Sequence, residues 1–422
     1  MPYIYGIHTS AQLDRLSSLL EEINGINPFQ STRLGNLTKA VDNESFVKLP
    51  LLTKRELMED QINNPPFGSN LTYPLDYYSH YHQTSGTTGE PLRVLDTPTT
   101  WDWWGRCWLE VLQAAGVTKS DRIFFAFSFA PFIGFWSAYH AVSMLGAMAI
   151  SGSGANSARR LEMIEATEAT VLLSTPTYAL HLAEIASQRG IDLTQSTITK
   201  TIHAGELGAS IPMTRQKIEQ AWGARALDHA GATEVGAFGI GDTKDCDLYV
   251  NEKEFIAEVI DSNSFMPIES GSTGELVITN LGRGAWPIIR YRTGDLVNPI
   301  RIPSGPMEGK LLLKGGILGR VDDMVTIRGV NIYPSTLENI IRSIIGLCEF
   351  RIIVSTFAEM DEIGIEIEGD QTTAQAVAQS ISDEIGIRAK VRPIEKGTLP
   401  RWESKAQRFS DQRARRSNTK TP

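Results

Sequence analysis

The sequence predicts an α/β protein: a large N-terminal domain with mixed or parallel sheets flanked by helices, joined by a hinge to a small C-terminal α+β domain. Strand-like and helical segments alternate between residues 120 and 230, which is typical of a parallel sheet with helices on its faces. Near Arg320 the pattern changes to helix, strand, strand, helix, strand, which is typical of a small α+β unit. We therefore place the domains at residues 1–319 and 320–422.

The first sixty residues predict short helices, and the best defined spans residues 10–23 with leucines along one face. In the alternating region we expect strands at residues 121–127, 146–150, 170–174, 199–203 and 224–228. The helices between them are expected at residues 135–145, 158–168 and 177–189. Two later strands of a mixed sheet are expected at residues 254–260 and 274–279.

In the C-terminal hundred residues, Ser335 and Glu338 have the spacing of a capping box and predict a helix start after Pro334. A strand is expected at residues 350–355. Residues 363–368 alternate apolar and acidic side chains, which predicts a half-exposed strand. A helix at residues 372–384 and a strand at 389–394 complete the unit. The basic, polar tail from residue 408 to 422 is expected to fray.

Composition excludes several classes of protein. The 422 residues are 41% hydrophobic and 21% charged, as in ordinary globular proteins. The net charge of −9 argues against a dedicated nucleic-acid-binding protein. The three cysteines are widely separated and form no metal-binding pattern, which fits a reducing cytosol. The N-terminus has no secretory signal pattern, so we expect a cytoplasmic protein.

Residues 123–158 contain no charged side chain, and a stretch of this length could span a membrane. Pro131 and several glycines and serines interrupt it. We therefore predict a buried strand, a loop, a buried helix and another strand, and no membrane partner.

Two segments have the composition of phosphate and metal sites. Residues 84–91, TSGTTGEP, combine hydroxyls and glycines that can surround an anion. The segment is not a Walker A loop, because the Gly-Lys-Ser/Thr ending is missing, and a polar surface turn is the alternative. Residues 230–234, AGATE, follow a strand-like segment. Their glutamate could hold Mg²⁺ against phosphate oxygens or could simply be solvated.

Three further segments suit the rest of a nucleotide site. Residues 287–295 end in Asp295, which could accept hydrogen bonds from ribose hydroxyls or pair with a nearby arginine. Residues 318–334 lie where the composition changes and suit a hinge. Residues 397–408, GTLPRWESKAQR, place Lys405 on a loop, where it could be a movable charge for phosphate or part of a solvated charge run.

The order and spacing of these five segments resemble the adenylate-forming superfamily of acyl-CoA synthetases, adenylation domains and luciferases. Within it the chain resembles the phenylacetate–CoA ligase branch. The hallmarks are the TSGTTGEP loop without a following lysine, RGVNIYPS at residues 328–335 and LPRWESKAQR at residues 399–408. KLPLLTKREL at residues 48–57 also resembles this branch. The resemblance extends from about residue 46 to residue 413.

The resemblance implies a reaction in which a carboxylic acid and ATP give an acyl-adenylate and pyrophosphate. Glu234 would bind Mg²⁺, Thr233 would contact the α-phosphate, and Lys405 would bridge the carboxylate and the α-phosphate. Neutralising charge is the main catalytic demand of such a transfer. The residues that would hold the triphosphate are Thr84, Ser85, Gly86, Thr87, Thr88 and Gly89.

On the nucleoside side, the resemblance implies that Gly205 and Glu206 lie near adenine, with Asp295 on the ribose and Arg320 beside it. Asp322 matches the hinge position. The sequence departs from the family where an aromatic residue usually stacks on adenine, because Ala230 stands there. We therefore expect weaker nucleotide affinity or base selectivity than is usual.

An acyl pocket is expected from position along the chain, and its aromatic side chains would form a flat, apolar slot suited to an aromatic acid. The candidates are Phe132, Gly134, Phe135, Trp136, Tyr139, His140 and His203. Each aromatic residue could equally be ordinary core, and His140 could be a core histidine with its hydrogen bonds satisfied.

We interpret the sequence as an enzyme that uses ATP and Mg²⁺ to activate an aromatic carboxylic acid and then transfers the acyl group to a thiol such as CoA. Transfer to a carrier protein, an amine or a reductase remains open. A second hypothesis is a protein that binds nucleotide or aryl acid with little turnover. A homodimer is expected from the resemblance alone.

Overall fold

The computed structural model describes residues 9–35, 42–84, 90–129, 131–269, 271–305, 307–327, 330–357, 360–402 and 406–413. The helices are α1 (Ser10–Ile23), α2 (Pro28–Leu34), α3 (Asn43–Phe46), α4 (Lys54–Asn63), α5 (Pro98–Ala114), α6 (Ile133–Leu145), α7 (Ser157–Ala166), α8 (Pro176–Gln188), α9 (Pro212–Trp222), α10 (Pro334–Ile345) and α11 (Gln371–Ile385).

The strands of the large domain are β1 (His80–Gln83), β2 (Arg93–Asp96), β3 (Arg122–Phe125), β4 (Met148–Ser151), β5 (Val171–Ser174), β6 (Lys200–His203), β7 (Arg225–Ala232), β8 (Gly236–Gly241), β9 (Leu248–Val250), β10 (Phe255–Ile260), β11 (Gly274–Asn280), β12 (Tyr291–Val297), β13 (Pro299–Arg301), β14 (Leu311–Leu313) and β15 (Gly319–Arg320). They are followed by β16 (Val325–Ile327), β17 (Val330–Ile332), β18 (Phe350–Phe357), β19 (Met360–Glu368), β20 (Ala389–Ile394) and β21 (Phe409–Asp411).

The largest sheet in the described part of the chain has the order β13-β14-β9-β8-β7-β6-β5-β3-β4. Strands β4, β3, β5, β6 and β7 are parallel, and the strands from β7 to β13 are antiparallel. Helices α6 to α9 connect the parallel strands, which confirms the predicted α/β architecture. The carboxyl ends of β6 and β7 therefore open onto one edge, where α/β proteins commonly bind ligands.

Strands β10 and β11 form where the sequence predicts them, but they do not belong to the mixed sheet. They pair in a separate antiparallel sheet of order β10-β11-β12-β15. Every residue of both strands is buried. Neither strand therefore shows the alternation of apolar and polar residues that would have predicted a separate antiparallel sheet.

The uncharged residues 123–158 fold as a strand, a helix and a strand, β3, α6 and β4, as predicted. Among the described residues, no helix has both the length and the apolar character needed to cross a bilayer.

The small C-terminal unit contains the four-stranded sheet β20-β19-β18-β21 with α10 and α11. The predicted capping box is wrong: the N-cap of α10 is Tyr333, and the Ser335 hydroxyl donates to the Leu318 carbonyl instead. Strand β19 is not half-exposed either. Glu366 and Glu368 are buried because arginines from elsewhere in the unit neutralise them.

The predicted fraying of the tail is wrong as far as residue 413. The Arg408 side chain is only 9% exposed, and β21 pairs in parallel with β18. Arg413 pairs with Asp361 and Asp411. Residues 414–422 lie outside the described part of the chain.

Candidate active site

The turn after β7 presents Thr233 and Glu234 at the carboxyl edge of the sheet, and a fully buried ion pair supports it. Arg283 Nη1 donates to the carbonyl oxygens of Thr233 (3.0 Å) and Glu234 (3.1 Å). The same guanidinium donates to both carboxylate oxygens of Asp96, at 2.8 and 2.5 Å. Neither side chain of the pair is exposed. The turn that carries the two predicted site residues is therefore fixed from inside the core.

The Glu234 carboxylate lies between a lysine and a phenol. Its side chain is only 8% exposed, and Oε1 is 3.2 Å from Lys54 Nζ at the start of α4. Burial, together with the negative charge of Glu234, raises the pKa of Tyr291 well above its usual range. The Tyr291 phenol is therefore neutral at physiological pH and lies near Glu234.

The surroundings of Glu234 fit a magnesium ion carried by a nucleotide. No group of three or more His, Cys, Asp or Glu side chains that could hold a metal occurs in the described residues. Mg²⁺ is commonly bound by one or two carboxylates together with substrate phosphates. Glu234 could supply that one carboxylate, and the phosphates would have to supply the rest.

Asp295 and Arg320 face each other across neighbouring strands. They are register partners in β12 and β15, and Arg320 Nη1 lies 3.1 Å from Asp295 Oδ1. Arg320 also donates to the Thr293 carbonyl oxygen at 3.2 Å. Gly294 has a φ of +77°, and a Cβ there would lie 2.7 Å from Arg320 Nη2. The arginine pairing offered as one alternative for Asp295 thus forms, and its ribose role stays a prediction.

The base of the predicted phosphate loop is closed by two hydrogen bonds between Thr84 and Leu92. Thr84 is buried, its N–H donates to the Leu92 carbonyl, and its Oγ1 accepts from the Leu92 N–H, each at 3.0 Å. The predicted phosphate ligands Ser85, Gly86, Thr87, Thr88 and Gly89 lie outside the described residues. Lys405 also lies outside them.

Glu206 links the two domains. Its Oε1 accepts from the Thr177 N–H at the start of α8 (2.8 Å), and its Oε2 accepts from the Ala406 N–H (2.7 Å). Gly205, with a φ of +96°, turns the chain just before it. The carboxylate predicted for the adenine side thus contacts the residue that follows Lys405. Sequence reasoning missed this contact because nothing in either segment indicates the other.

Two arginines that flank Lys405 in the sequence join the small domain to helix α8. Arg401 donates to Glu184 of α8 at 2.9 and 3.1 Å and to Glu368 of β19 at 2.8 and 2.7 Å. The nearby His181 ring, whose Nδ1 lies 3.9 Å from Glu184 Oε2, together with the Arg401 guanidinium, lowers the pKa of Glu184 to about 2. Glu184 is therefore ionised at neutral pH.

Arg408, seven residues after Arg401, also contacts both the small domain and helix α8. It donates to Glu349 of the small domain at 2.5 and 3.0 Å and to Thr177 Oγ1 of α8 at 3.0 Å. Helix α8 is thus the surface of the large domain on which the segment around Lys405 docks.

The predicted aromatic residues of α6 meet a row of phenylalanines. Phe135 stacks on Phe127 with 3.3 Å between ring centroids. Trp136 lies 4.6 Å from Phe129, and Tyr139 lies 5.6 Å from Phe129. Phe127 and Phe129 were missed, although the alternation of phenylalanine at 125, 127 and 129 was visible in the sequence.

Space remains beside this cluster. A Cβ built on Gly134 would meet no atom within 4 Å, and Phe132 and Trp136 are partly exposed, at 38% and 41%. The aromatic rings therefore border an open region and do not all belong to a closed core.

The two histidines predicted for this pocket make other contacts. His140 Nε2 lies 2.9 Å from Asp102 Oδ1, and its ring tilts against Trp101 on α5. His203 is fully buried, with Nε2 2.8 Å from Thr201 Oγ1. Burial lowers the pKa of His203 to about 3, so its ring is neutral at physiological pH.

Two more predicted positions have clear surroundings. Asp322 lies in the turn between β15 and β16 with its side chain 84% exposed, 4.0 Å from Arg320. Its hinge role stays a prediction. Ala230 lies in β7 against β8, where a Cβ on Gly239 would come within 2.7 Å of the Ala230 Cβ. The weaker nucleotide affinity expected from this alanine also stays a prediction.

Residues 329–413 match the family described as AMP-binding enzyme C-terminal domain. The chain is 30% identical to the phenylacetate-coenzyme A ligase of Pseudomonas putida, over 95% of this chain and 93% of that protein. It is also 30% identical to the phenylacetate-coenzyme A ligase of Escherichia coli (strain K12), over 87% of this chain and 85% of that protein.

Solved structures agree in fold. The chain matches 2-hydroxyisobutyryl-CoA ligase in the postadenylation state with a TM-score of 0.88 and 26% identity, covering 97% of this chain and 93% of the other. The same ligase in the thioesterification state gives a TM-score of 0.71, with 28% identity over 96% and 89% of the two chains.

The fold, with its AMP-binding enzyme C-terminal domain, defines an acyl-adenylate-forming acid–thiol ligase. The chain belongs to the phenylacetate–CoA ligase family of adenylate-forming enzymes. Its activity is accordingly the formation of an acyl-adenylate and the ligation of the acyl group to CoA.

Proposed function

We propose that the acid is a planar aromatic carboxylic acid, activated in the cytoplasm with ATP and Mg²⁺. The observation that carries the proposal is the aromatic cluster of Phe127, Phe129, Phe135, Trp136 and Tyr139 beside the open space at Gly134. Flat rings favour stacked or edge contacts with other flat rings. The names of the phenylacetate ligases support the same class of acid, whereas the structurally similar 2-hydroxyisobutyryl-CoA ligase is named for an aliphatic acid.

The sequence further resembles the adenylating protein of griseoluteic acid (phenazine) biosynthesis. This finer resemblance makes a tricyclic aryl carboxylate a substrate to test. It also makes a reductase, an amine and a carrier protein acyl acceptors to test beside CoA.

In this proposal residues 84–89 hold the triphosphate, and Thr233 contacts the α-phosphate. Glu234 holds the Mg²⁺, which when bound offsets phosphate charge. Asp295 binds the ribose with Arg320 beside it. Lys405 bridges the reacting carboxylate and the α-phosphate during adenylation, and Asp322 is the hinge about which the small domain rotates for thioester formation. The higher TM-score with the postadenylation state than with the thioesterification state supports a domain arrangement like that of the postadenylation state.

A panel of acids in acid-dependent ATP–pyrophosphate exchange tests the pocket. We expect phenylacetate, benzoate and a phenazine carboxylate to include the best substrates, and acetate and 2-hydroxyisobutyrate to exchange poorly, because small acids leave the slot unfilled. Trp136→Ala should slow exchange with the preferred aryl acid. Met144→Ala is the matched control, because Met144 is equally exposed two turns further along α6.

Equal rates for acetate and every aryl acid would contradict the aromatic pocket. If the protein binds nucleotide and aryl acid but exchanges pyrophosphate with no acid in a broad panel, the result would instead favour the second hypothesis, a binding protein with little turnover.

A further inference from the structure

We propose that Lys54 binds the triphosphate of ATP, supplying from helix α4 a positive charge that the phosphate loop itself lacks. The inference rests on the proposed nucleotide site and adds to it a residue from a distant part of the chain. No role for Lys54 followed from the sequence motifs.

The first argument is the position of the amine. Lys54 Nζ lies 3.2 Å from Glu234 Oε1, and the lysine side chain is 41% exposed while Glu234 is almost buried. The amine thus lies at the open side of a carboxylate at the proposed phosphate and metal site. An ammonium with three rotatable donors at such a place can contact the carboxylate and a phosphate together.

The second argument is how α4 is held. Just before it, Leu52 forms a parallel bridge with Tyr291, whose phenol reaches Glu234. Two turns along α4, the Gln61 side chain exchanges hydrogen bonds with the main chain of Arg93, accepting at 3.0 Å and donating at 2.5 Å. Arg93 begins β2, one residue after Leu92 closes the base of the phosphate loop.

Helix α4 therefore runs from the Glu234 turn to the base of the loop. The seven residues from Lys54 to Gln61 span about 10 Å of helix. Both ends are anchored, so Lys54 is held at the open side of Glu234.

The third argument is charge. Residues 84–92 contain neither lysine nor arginine. Of the other cations described near Glu234, Arg283 is fully buried against Asp96, and Arg320 is paired with Asp295 at the predicted ribose position. A triphosphate needs cations around its outer oxygens, and Lys54 is placed to supply one.

Helix stability does not explain this lysine. Lys54 is the first residue of α4, where the positive end of the helix dipole opposes a cation. Thr53 and Glu56 already cap this end through a capping box. A lysine in such a place is unfavourable for the helix and favourable for an anion bound in front of it.

Direct binding measurements test the proposal without turnover. Lys54→Met is compared with Arg55→Met, whose arginine is 82% exposed and pairs with Glu59, one turn along the same helix. Calorimetric titration with Mg-ATP and with AMP, without acid or CoA, measures both dissociation constants. Both side chains reach solvent, and thermal melting checks that the variants fold.

We expect Lys54→Met to weaken ATP binding on the order of tenfold to a hundredfold, as for loss of a charged hydrogen bond. AMP binding should hardly change, because AMP lacks the outer phosphates. Arg55→Met should bind both nucleotides like the wild type, and Lys54→Arg should recover part of the ATP affinity.

Unchanged ATP binding in Lys54→Met would overturn the inference and leave the proposed function intact. Equal weakening of ATP and AMP would overturn it too, since Lys54 would then act on the whole site by holding Glu234. If the wild type binds no ATP, the proposed function itself fails.

Discussion

Arg283→Met is expected to lower the free energy of unfolding by about 3–5 kcal/mol, because it leaves the Asp96 carboxylate buried without its partner. The pair has no exposed surface, and Arg283 also holds the carbonyl oxygens of Thr233 and Glu234. Urea titration followed by tryptophan fluorescence reports the loss, since Trp104 lies against the guanidinium. Among the predicted effects on stability this is the largest.

Two comparisons separate a buried charge from a general loss of contacts. Arg159→Met removes an exposed ion pair with Glu162 and should change stability by less than about 1 kcal/mol. Arg283→Met combined with Asp96→Leu should recover part of the loss, because no unpaired charge remains. If the double variant has a lower free energy of unfolding than Arg283→Met, the unpaired Asp96 carboxylate is not the cause of the loss.

Glu206→Ala is expected to slow adenylation about tenfold to a hundredfold, because a charge-assisted hydrogen bond that docks the segment around Lys405 is lost. The contact runs from the Ala406 N–H to a carboxylate that also caps the first turn of α8. Conversion of supplied acyl-adenylate to the CoA thioester should hardly change, since that step requires the other domain arrangement.

The measurement is pyrophosphate exchange and thioester formation, each on Glu206→Ala and on the surface control Glu162→Ala. If Glu206 acts mainly at adenine, the KM for ATP should rise and discrimination between ATP and GTP should fall, with both half-reactions affected. That result would show that the contact between Glu206 and Ala406 is not needed for adenylation.

Local periodicity predicted most of the fold because the large domain alternates short strands and helices whose apolar residues repeat nearby. Helix α1 and strand β20 occur at the predicted residues, and the parallel strands begin within two residues of the predicted starts. The errors arose where side chains from distant parts of the chain bury residues that the local pattern predicts to be exposed. Strand β19 looks half-exposed, yet its glutamates are neutralised by Arg351, Arg392 and Arg401.

The same limit applies to the site. Motif positions predicted Glu234, Asp295 and Glu206, because each follows a strand or stands in a characteristic phrase. The contacts of Glu234 with Lys54 and Arg283, and of Glu206 with Ala406, join segments up to 200 residues apart, and no local signal connects them. Lys54 was within reach of sequence reasoning, since it stands in the segment 48–57 that resembles the family. Arg283 was not, because only the fold brings it to Asp96.

The most direct test of the account is the measurement of both half-reactions in the wild type and in Lys405→Ala, with circular dichroism as the check on folding. The account predicts aryl-acid-dependent pyrophosphate exchange and CoA thioester formation by the wild type. Lys405→Ala should lose the exchange and still convert supplied acyl-adenylate to thioester. Near wild-type exchange by Lys405→Ala, or no exchange by the wild type with any aryl acid, would contradict it.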